Sequence, residues 1–538
     1  MLKFKCFLAR SGLDVKPFQT ECFEWCLTKE RLAAAAAAAA VPNAAAAAAV
    51  PMEDGAAVLK TPPGGILALE MGLGKTIIML GLIECNFQRR TLIILPLILL
   101  AQWEKCIQRY FGHQPLIYHG SRPRSLQLSL AEIMKKPIVL TTYGQIALPS
   151  LKQQKRGRQP SLLSKIRWGR IICDEAHHVS HKETNQYKGV QVLSAKIRWL
   201  VTGTPIQNRE EELYNLFTLL GFAKSSWYFS EGDHYTNAVQ HLIFHKTKAE
   251  VGIQIPKLHE HTEIVEWANE SERQFSSHIH SLLRFCNVPQ QAIASSMEAE
   301  EELYSLRMRY LTKSRQVCVY PPMLKTIITQ FEKQLKEQRK YTAATAADDP
   351  YATLQIKELY VSESKINAVV KTMTERLANG CGKIVFCHYY AEIDAFEKRL
   401  RQAGFTKIHK FDGRITSRSV KQAILHDATN EVLLAQIKMC QEGLNLQDNY
   451  SEVYFPSPHF NPATEDQAIA RCWRIGQQKE VFVFRYIMID TETSFAVPCE
   501  AAAEVAAVTR NVFSMDSYSA RLQRMKRMII AKMESAAT

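Results

Sequence analysis

The stretch LALEMGLGKT, residues 67–76, nearly spells a phosphate-binding loop. The usual pattern is Gly, any four residues, then Gly-Lys-Ser/Thr, which lets backbone N–H groups close around phosphate oxygens. Gly74, Lys75 and Thr76 fit it, while the slot for the first glycine holds Leu69. What such a loop needs is tight backbone at 72 and 74, and both positions are Gly. A helix starting just after Gly72-Leu73-Gly74 would offer phosphates its free N–H groups and its positive end. Lys75 would then reach the β- and γ-phosphates, and the Thr76 hydroxyl would ligate magnesium. The apolar GGILAL before the loop supplies the buried strand that must deliver it.

Three downstream stretches give the loop company. RIICDEAHH (170–178) is an apolar strand ending in Asp174 and Glu175. One carboxylate can hold magnesium while its neighbour orients the attacking water, the two roles phosphoryl transfer needs. LVTGTPIQN (200–208) ends another strand, so Thr202, Gly203 and Thr204 can sense the phosphate. EDQAIARCWRIGQ (465–477) spaces Arg471 and Arg474 three apart, which predicts one helical face. Inserted at the γ-phosphate from a second domain, such arginines stabilise charge in the transition state.

The strand rhythm fixes the fold class as α/β. Between residues 60 and 260, short apolar runs alternate with amphipathic stretches, as in βαβ units around a parallel sheet. From about residue 362 the rhythm returns in KIVFCH, IHKFDG, VLLAQIK, EVYFPS and VFVFRYI. Residues 265–345 are instead charged and helically spaced. The expected layout is an N-terminal segment (1–14), a first sheet domain (15–262), a helical insert (263–355), a second sheet domain (356–495), and an Ala-rich linker with a basic C-terminal helix (496–538). Alanine tracts at 33–40 and 44–49 carry no chemical information.

Composition narrows the partners. With 67 Lys and Arg against 53 acidic residues, the 538-residue chain carries +14, which fits a polyanion such as nucleic acid. None of the 13 cysteines forms a CxxC pair, so structural zinc is not expected, and their scatter through apolar segments reads as reduced thiols. The start lacks a secretory apolar stretch, and TLIILPLILLA (91–101) is short and broken by Pro96. It reads as a buried strand, a turn and a helix. A soluble intracellular protein with no membrane partner is expected.

In their order, these stretches resemble the Swi/Snf-like ATPases, the chromatin-remodelling branch of helicase superfamily two. VKPFQTECFEWCL, GGILALEMGLGKT, LPLILLAQWEK, VLTTYGQI, RIICDEAHHVSHKET, RWLVTGTPIQN, SRQVCVYPPML, GKIVFCHYYAEIDAFEKRL, EGLNLQDNYSEVYF and NPATEDQAIARCWRIGQQKEVFVFRYI carry the resemblance from about residue 15 to 487. It implies two RecA-like lobes with ATP between them. Gln19 would read adenine, Lys75 and Thr76 would bind phosphate and magnesium, and His177 would couple the site to the lobe interface. Gln467, Arg471 and Arg474 would close from the second lobe. Members of the family translocate along duplex DNA, so double-stranded DNA, nucleosomes or a transcription complex are expected partners, within a larger protein assembly. By the same resemblance, candidate DNA contacts are Gln102, Thr141, Thr142 and Asn445. Lys155, Arg156 and Arg158 join them from the basic stretch 152–170. A nuclear location is implied, or a viral factory or virion if this is a divergent viral member.

Departures from the family pattern are Leu69 before Glu70, Cys440-Gln441 before GLNL, Ser457 and His459-Phe460 before Asn461-Pro462, and His245-Lys246-Thr247-Lys248 near the end of the first lobe. None removes a proposed hydrolysis residue, whereas those near 440 and 459 bear on how the second lobe grips DNA. A strand-separating helicase on DNA or RNA is the alternative suggested by DEAH. A degenerate motor serving as a structural subunit is the other.

Overall fold

The structure, a computed structural model, describes residues 1–39, 63–120, 128–157, 159–207, 209–222, 234–253, 255–285, 297–341, 351, 353–440, 444–489 and 514–537. The chain forms two compact units, Met1–Gln254 with Lys526–Thr538, and Ile255–Met525. Each is built on a parallel sheet, as the strand rhythm predicts.

The first sheet runs in the order β3-β4-β2-β5-β6-β1-β7. Its strands are β1 (Gly64–Leu69), β2 (Thr91–Leu95), β3 (Leu116–Tyr118), β4 (Ile138–Thr142), β5 (Arg167–Asp174), β6 (Ser194–Val201) and β7 (Ile243–Lys246). A parallel sheet has helices on both faces, so its central strands are apolar throughout rather than alternating. Accordingly β1, β2 and β4 are buried along their whole length. Leu67, Leu69, Ile93, Ile172 and Val201 pack on one face with helices α1 (Leu2–Arg10), α2 (Pro17–Ala39), α3 (Lys75–Cys85) and α4 (Leu100–Phe111). Ile66, Ala68, Ile94, Ile171 and Leu200 pack on the other face.

One polar knot crosses the first face. Glu30 of α2 accepts from Arg170 Nε (2.7 Å), from Trp199 Nε1 (2.8 Å) and from Asn86 Nδ2 (2.6 Å). Both members of the Arg170–Glu30 pair have fully buried side chains. This pins α2, which carries Gln19, to the middle of the sheet.

The second sheet has the order β10-β11-β9-β12-β13-β8. It comprises β8 (Leu258–Val265), β9 (Gly382–Cys387), β10 (Ile408–Phe411), β11 (Val432–Gln436), β12 (Tyr450–Phe455) and β13 (Val481–Met488).

Several boundaries differ from the sequence expectation. The first unit ends at Gln254, not at residue 262, because β8 pairs with all of β13 in the second sheet. The polar, half-exposed residues of β8 hide it from a search for apolar runs. The helices Glu270–Phe285, Met297–Val319 and Lys325–Tyr341 are not a separate insert. Phe275, Val317, Ile328 and Phe331 share a core with Val369, Val385 and Phe396. Nor does the N-terminal stretch stand apart, since Phe4, Phe7 and Leu8 of α1 are buried in the first unit. The basic C-terminal helix forms over Met515–Ala537, with Met515 in the second unit's core and Met533 in the first's. The Ala-rich stretches 44–49 and 496–508 lie outside the described residues.

Candidate nucleotide and nucleic-acid sites

The phosphate-loop stretch behaves as its glycines require. Gly72 and Gly74 have φ of 93° and 89°, left-handed values that other residues adopt only with strain. Gly74 is the N-cap of α3, so the first free N–H groups of that helix open beside it. A Cβ at 74 would stand 2.7 Å from Gln19 Nε2, so any side chain there would push the Gln19 amide aside. Gln19, itself buried, donates to the Leu73 carbonyl at 3.2 Å and so braces the loop from α2.

Lys75 Nζ donates to the Leu69 carbonyl at 2.8 Å. The departure at 69 is therefore harmless: the residue contributes its backbone carbonyl to the site and buries its side chain in the core. Glu70 is tied to the segment after β7. It accepts from Lys248 N (2.7 Å) and pairs with the buried Lys248 Nζ (2.8 Å). Lys248, within the divergent His245–Lys248 stretch, thus anchors the start of the loop.

The ends of β5 and β6 meet the loop through the sheet register. Asp174 aligns with Val201, and Thr202 N donates to the Leu67 carbonyl at 3.0 Å. A Cβ on Gly203 would lie 3.4 Å from Lys75 Nζ. The next link is a polar relay. His177 Nδ1 lies 3.3 Å from the Glu175 carboxylate and 3.3 Å from Thr202 Oγ1. Thr202 Oγ1 in turn accepts from Thr204 N at 3.2 Å. Thr204 Oγ1 is buried with no hydrogen-bond partner, an acceptor and donor held ready beside the loop.

Asp174 is buried. Its carboxylate accepts from Trp103 Nε1 (2.7 Å) and from Glu175 N (3.1 Å). Burial, and secondarily the Glu175 charge, push its carboxyl up to about 7, against the pull of Trp103 and Lys75. Glu175 has φ of 51°, left-handed for a residue that is not Gly. That conformation costs about 1–2 kcal/mol and turns the chain sharply off the strand. Trp103 was not picked out by the sequence reading. Its only signal there is a large aromatic in the amphipathic LLAQWEK.

In the second unit, Asn461 caps the helix Pro462–Ile469, whose Gln467 is buried. The expectation that Arg471 and Arg474 share a helical face is corrected. The helix stops at Ile469, whose carbonyl accepts from both Cys472 N and Trp473 N. Both arginines stand on the following turn, closed by Gly476 at φ 103°. Gln477 Nε2 fastens that turn by donating to the carbonyls of Gln447, Tyr450 and Cys472 at 2.9–3.1 Å. Arg471 O accepts from Leu446 N at 3.1 Å, and Arg474 Nη1 donates to Asn445 Oδ1 at 2.5 Å. A predicted ATP residue and a predicted DNA residue are thereby joined in one pair.

Of the other predicted DNA contacts, Gln102, Lys155 and Arg156 are exposed. Arg158 lies outside the described residues. Thr141 and Thr142 end β4. Both are buried, Thr141 Oγ1 donates to the Tyr118 carbonyl (2.9 Å), and Thr142 Oγ1 sits 3.1 Å from His119. Both hydroxyls thus have polar neighbours on or just after β3.

No described helix is long and apolar enough to cross a membrane. Among the described residues, no three His, Cys, Asp or Glu side chains gather as ligands for a metal ion.

The chain is similar to known proteins over most of its length. Residues 18–323 match the SNF2-related domain, and residues 364–476 match the helicase conserved C-terminal domain. A probable global transactivator of Orgyia pseudotsugata multicapsid polyhedrosis virus is 27% identical, the match covering 80% of this chain and 83% of the viral one. Chromodomain-helicase-DNA-binding protein 6 of Mus musculus is 26% identical over 78% of this chain, which spans only 16% of that protein's length. Among solved structures, the Pyrococcus furiosus Hef helicase domain shares the fold, with a TM-score of 0.51 and 15% identity over 88% of this chain and 95% of that one.

Proposed function

As the chain belongs to the SNF2-related family of helicase-like ATPases, we propose that it is a DNA-stimulated motor that moves along double-stranded DNA. One observation carries the nucleotide half of this reading. The loops after β1, β5 and β6 converge, with Gly203 against Lys75 and the Glu175–His177–Thr202 relay beside them.

In this reading Lys75 and the N–H groups at the start of α3 hold the phosphates. Glu175 orients the attacking water and receives its proton. His177 and Thr202 carry the state of Glu175 to the 202–204 turn, where the unpartnered Thr204 hydroxyl meets phosphate oxygens. Gln19 fixes the loop and faces the base. Magnesium asks for oxygen donors and retains several waters. The Thr76 hydroxyl and the Asp174 carboxylate fit that demand. When bound, the ion neutralises charge on the phosphates. Arg471 and Arg474 complete the transition-state charge from the second unit, with Gln467 beside them.

The +14 charge suits a track of phosphates, and backbone contacts carry no sequence information, as a motor on any DNA requires. Gln102, Lys155, Arg156 and Asn445 are the exposed candidates for that contact. The relatives' names point to transcription or chromatin, hence to a nuclear or viral setting and a larger protein assembly. The test is ATP turnover measured with duplex DNA, single-stranded DNA, RNA and nucleosomes side by side, with strand displacement scored in parallel. Stimulation by duplex without strand separation is expected. Preference for RNA, or unwinding, would replace the motor reading with a helicase.

A further inference from the structure

The opposite pole of the first unit has a chemistry that nucleotide binding does not use. All strands of that sheet are parallel, so the connections entering β2, β4, β5 and β6 share one end. They lie about 23 Å from the nucleotide loops, the length of the eight-residue β5 at about 3.3 Å per residue. Hydrogen bonds tie them together. Thr91 N donates to the Pro137 carbonyl at 2.8 Å, and Gly169 N donates to the Arg90 carbonyl at 3.0 Å.

These four connections, residues 86–90, 134–137, 164–167 and 192–196, hold seven cations and no acid: Arg89, Arg90, Lys135, Lys136, Lys165, Arg167 and Lys196. All but the half-buried Arg90 are exposed. Of the bordering acids, Glu84 pairs with Arg10, and Glu132 bonds Ser129 at its helix start while also facing Lys135. Among the cations stand three exposed apolar side chains, Phe87 (68%), Met134 (41%) and Val192 (48%). Arg90 holds a left-handed φ of 68°, so the tip carrying Phe87 is sharply turned.

We propose that this pole docks an acidic segment of a partner protein that also carries large apolar side chains. The cations supply charge complementarity and a fast encounter, and Phe87, Met134 and Val192 supply the desolvated anchor. Duplex DNA matches the surface less well, because its phosphate rails offer nothing to three apolar side chains, while cations alone would suffice for it. An acidic peptide uses both.

The experiment uses the full chain and three labelled probes in fluorescence anisotropy. They are an acidic peptide of about twenty residues with interspersed Leu and Phe, a peptide of equal charge with Ser at those positions, and a short DNA duplex. The apolar acidic peptide is expected to bind more tightly than its Ser counterpart. The triple charge reversal R89E/K136E/R167E is expected to weaken it about tenfold, at roughly half a kcal/mol for each reversed rim charge. Phe87→Ser should weaken the apolar peptide but leave the Ser peptide unchanged. Basal ATP turnover should stay at the wild-type rate in both variants, which also reports that they fold. Equal affinity for the two peptides, unchanged binding by the triple variant, or loss of duplex binding in place of peptide binding would each overturn the proposal.

Discussion

The two units present their functional residues in different ways. In the first, Asp174, Glu175 and Thr202 sit at or just past the ends of buried strands that their neighbours hold in register, and Lys75 opens the helix after the loop from β1. In the second, Arg471 and Arg474 sit on a turn beyond a helix, held by a few hydrogen bonds from Gln477, Leu446 and Asn445. Strand ends inherit their position from a whole sheet. A turn keeps its position only while its local bonds last. The difference predicts that changes in the first unit act on chemistry or on the fold outright, whereas changes in the second are graded.

The largest effects should come from the first unit. Lys75→Ala should lower turnover by at least about a hundredfold, as loss of a preorganised charge at the phosphates does. Glu175→Gln should do the same yet keep ATP binding, measured by nucleotide fluorescence. Loss of binding in that variant would remove Glu175 from its role with water.

Arg170→Met should destabilise the first unit by about 3–5 kcal/mol in denaturant melts, because it leaves Glu30 buried without its partner. A small change would mean that α2 is fixed by packing alone, and Gln19 with it.

For the second unit, Arg474→Ala should cut turnover about tenfold to a hundredfold with ATP affinity retained. Asn445→Ala, which releases Arg474, should cut turnover measured without DNA a few-fold at most. If both variants fell equally, the turn would be as rigid as a strand end and the contrast between the units would fail.

The smallest effect concerns Asp174. Its carboxyl is raised to about 7 in the fold, above the ordinary range near 4. The folded state therefore holds its proton while the unfolded chain releases it, and this group's contribution to stability falls as pH rises from about 4 to about 7. Binding of a cation must displace that proton. The magnesium concentration needed for half-maximal turnover should rise as pH is lowered from about 8 to about 6. A flat response would place the ion away from Asp174.

Much of this was legible in the chain itself. Apolar runs of strand length followed by Gly or acid pairs gave the central strands of both sheets. Gly72 and Gly74 gave the loop, since only glycine adopts those angles freely. Two edge strands, β3 and β8, escaped notice: both are partly exposed, so burial does not write an apolar run into them. The helical insert was misjudged because an amphipathic helix shows its apolar face without saying which core receives it.

Sequence by itself determined the order of the loops that meet at Lys75 and the residue types they carry, because backbone angles and charge are local properties. Tertiary structure alone decided the rest. It chose Trp103 as the partner of Asp174, Lys248 as that of Glu70, Asn445 as that of Arg474, and the interior for Thr141 and Thr142. Those choices join residues far apart in the chain, and only the sheet order and the packing of helices against it bring them within hydrogen-bonding distance.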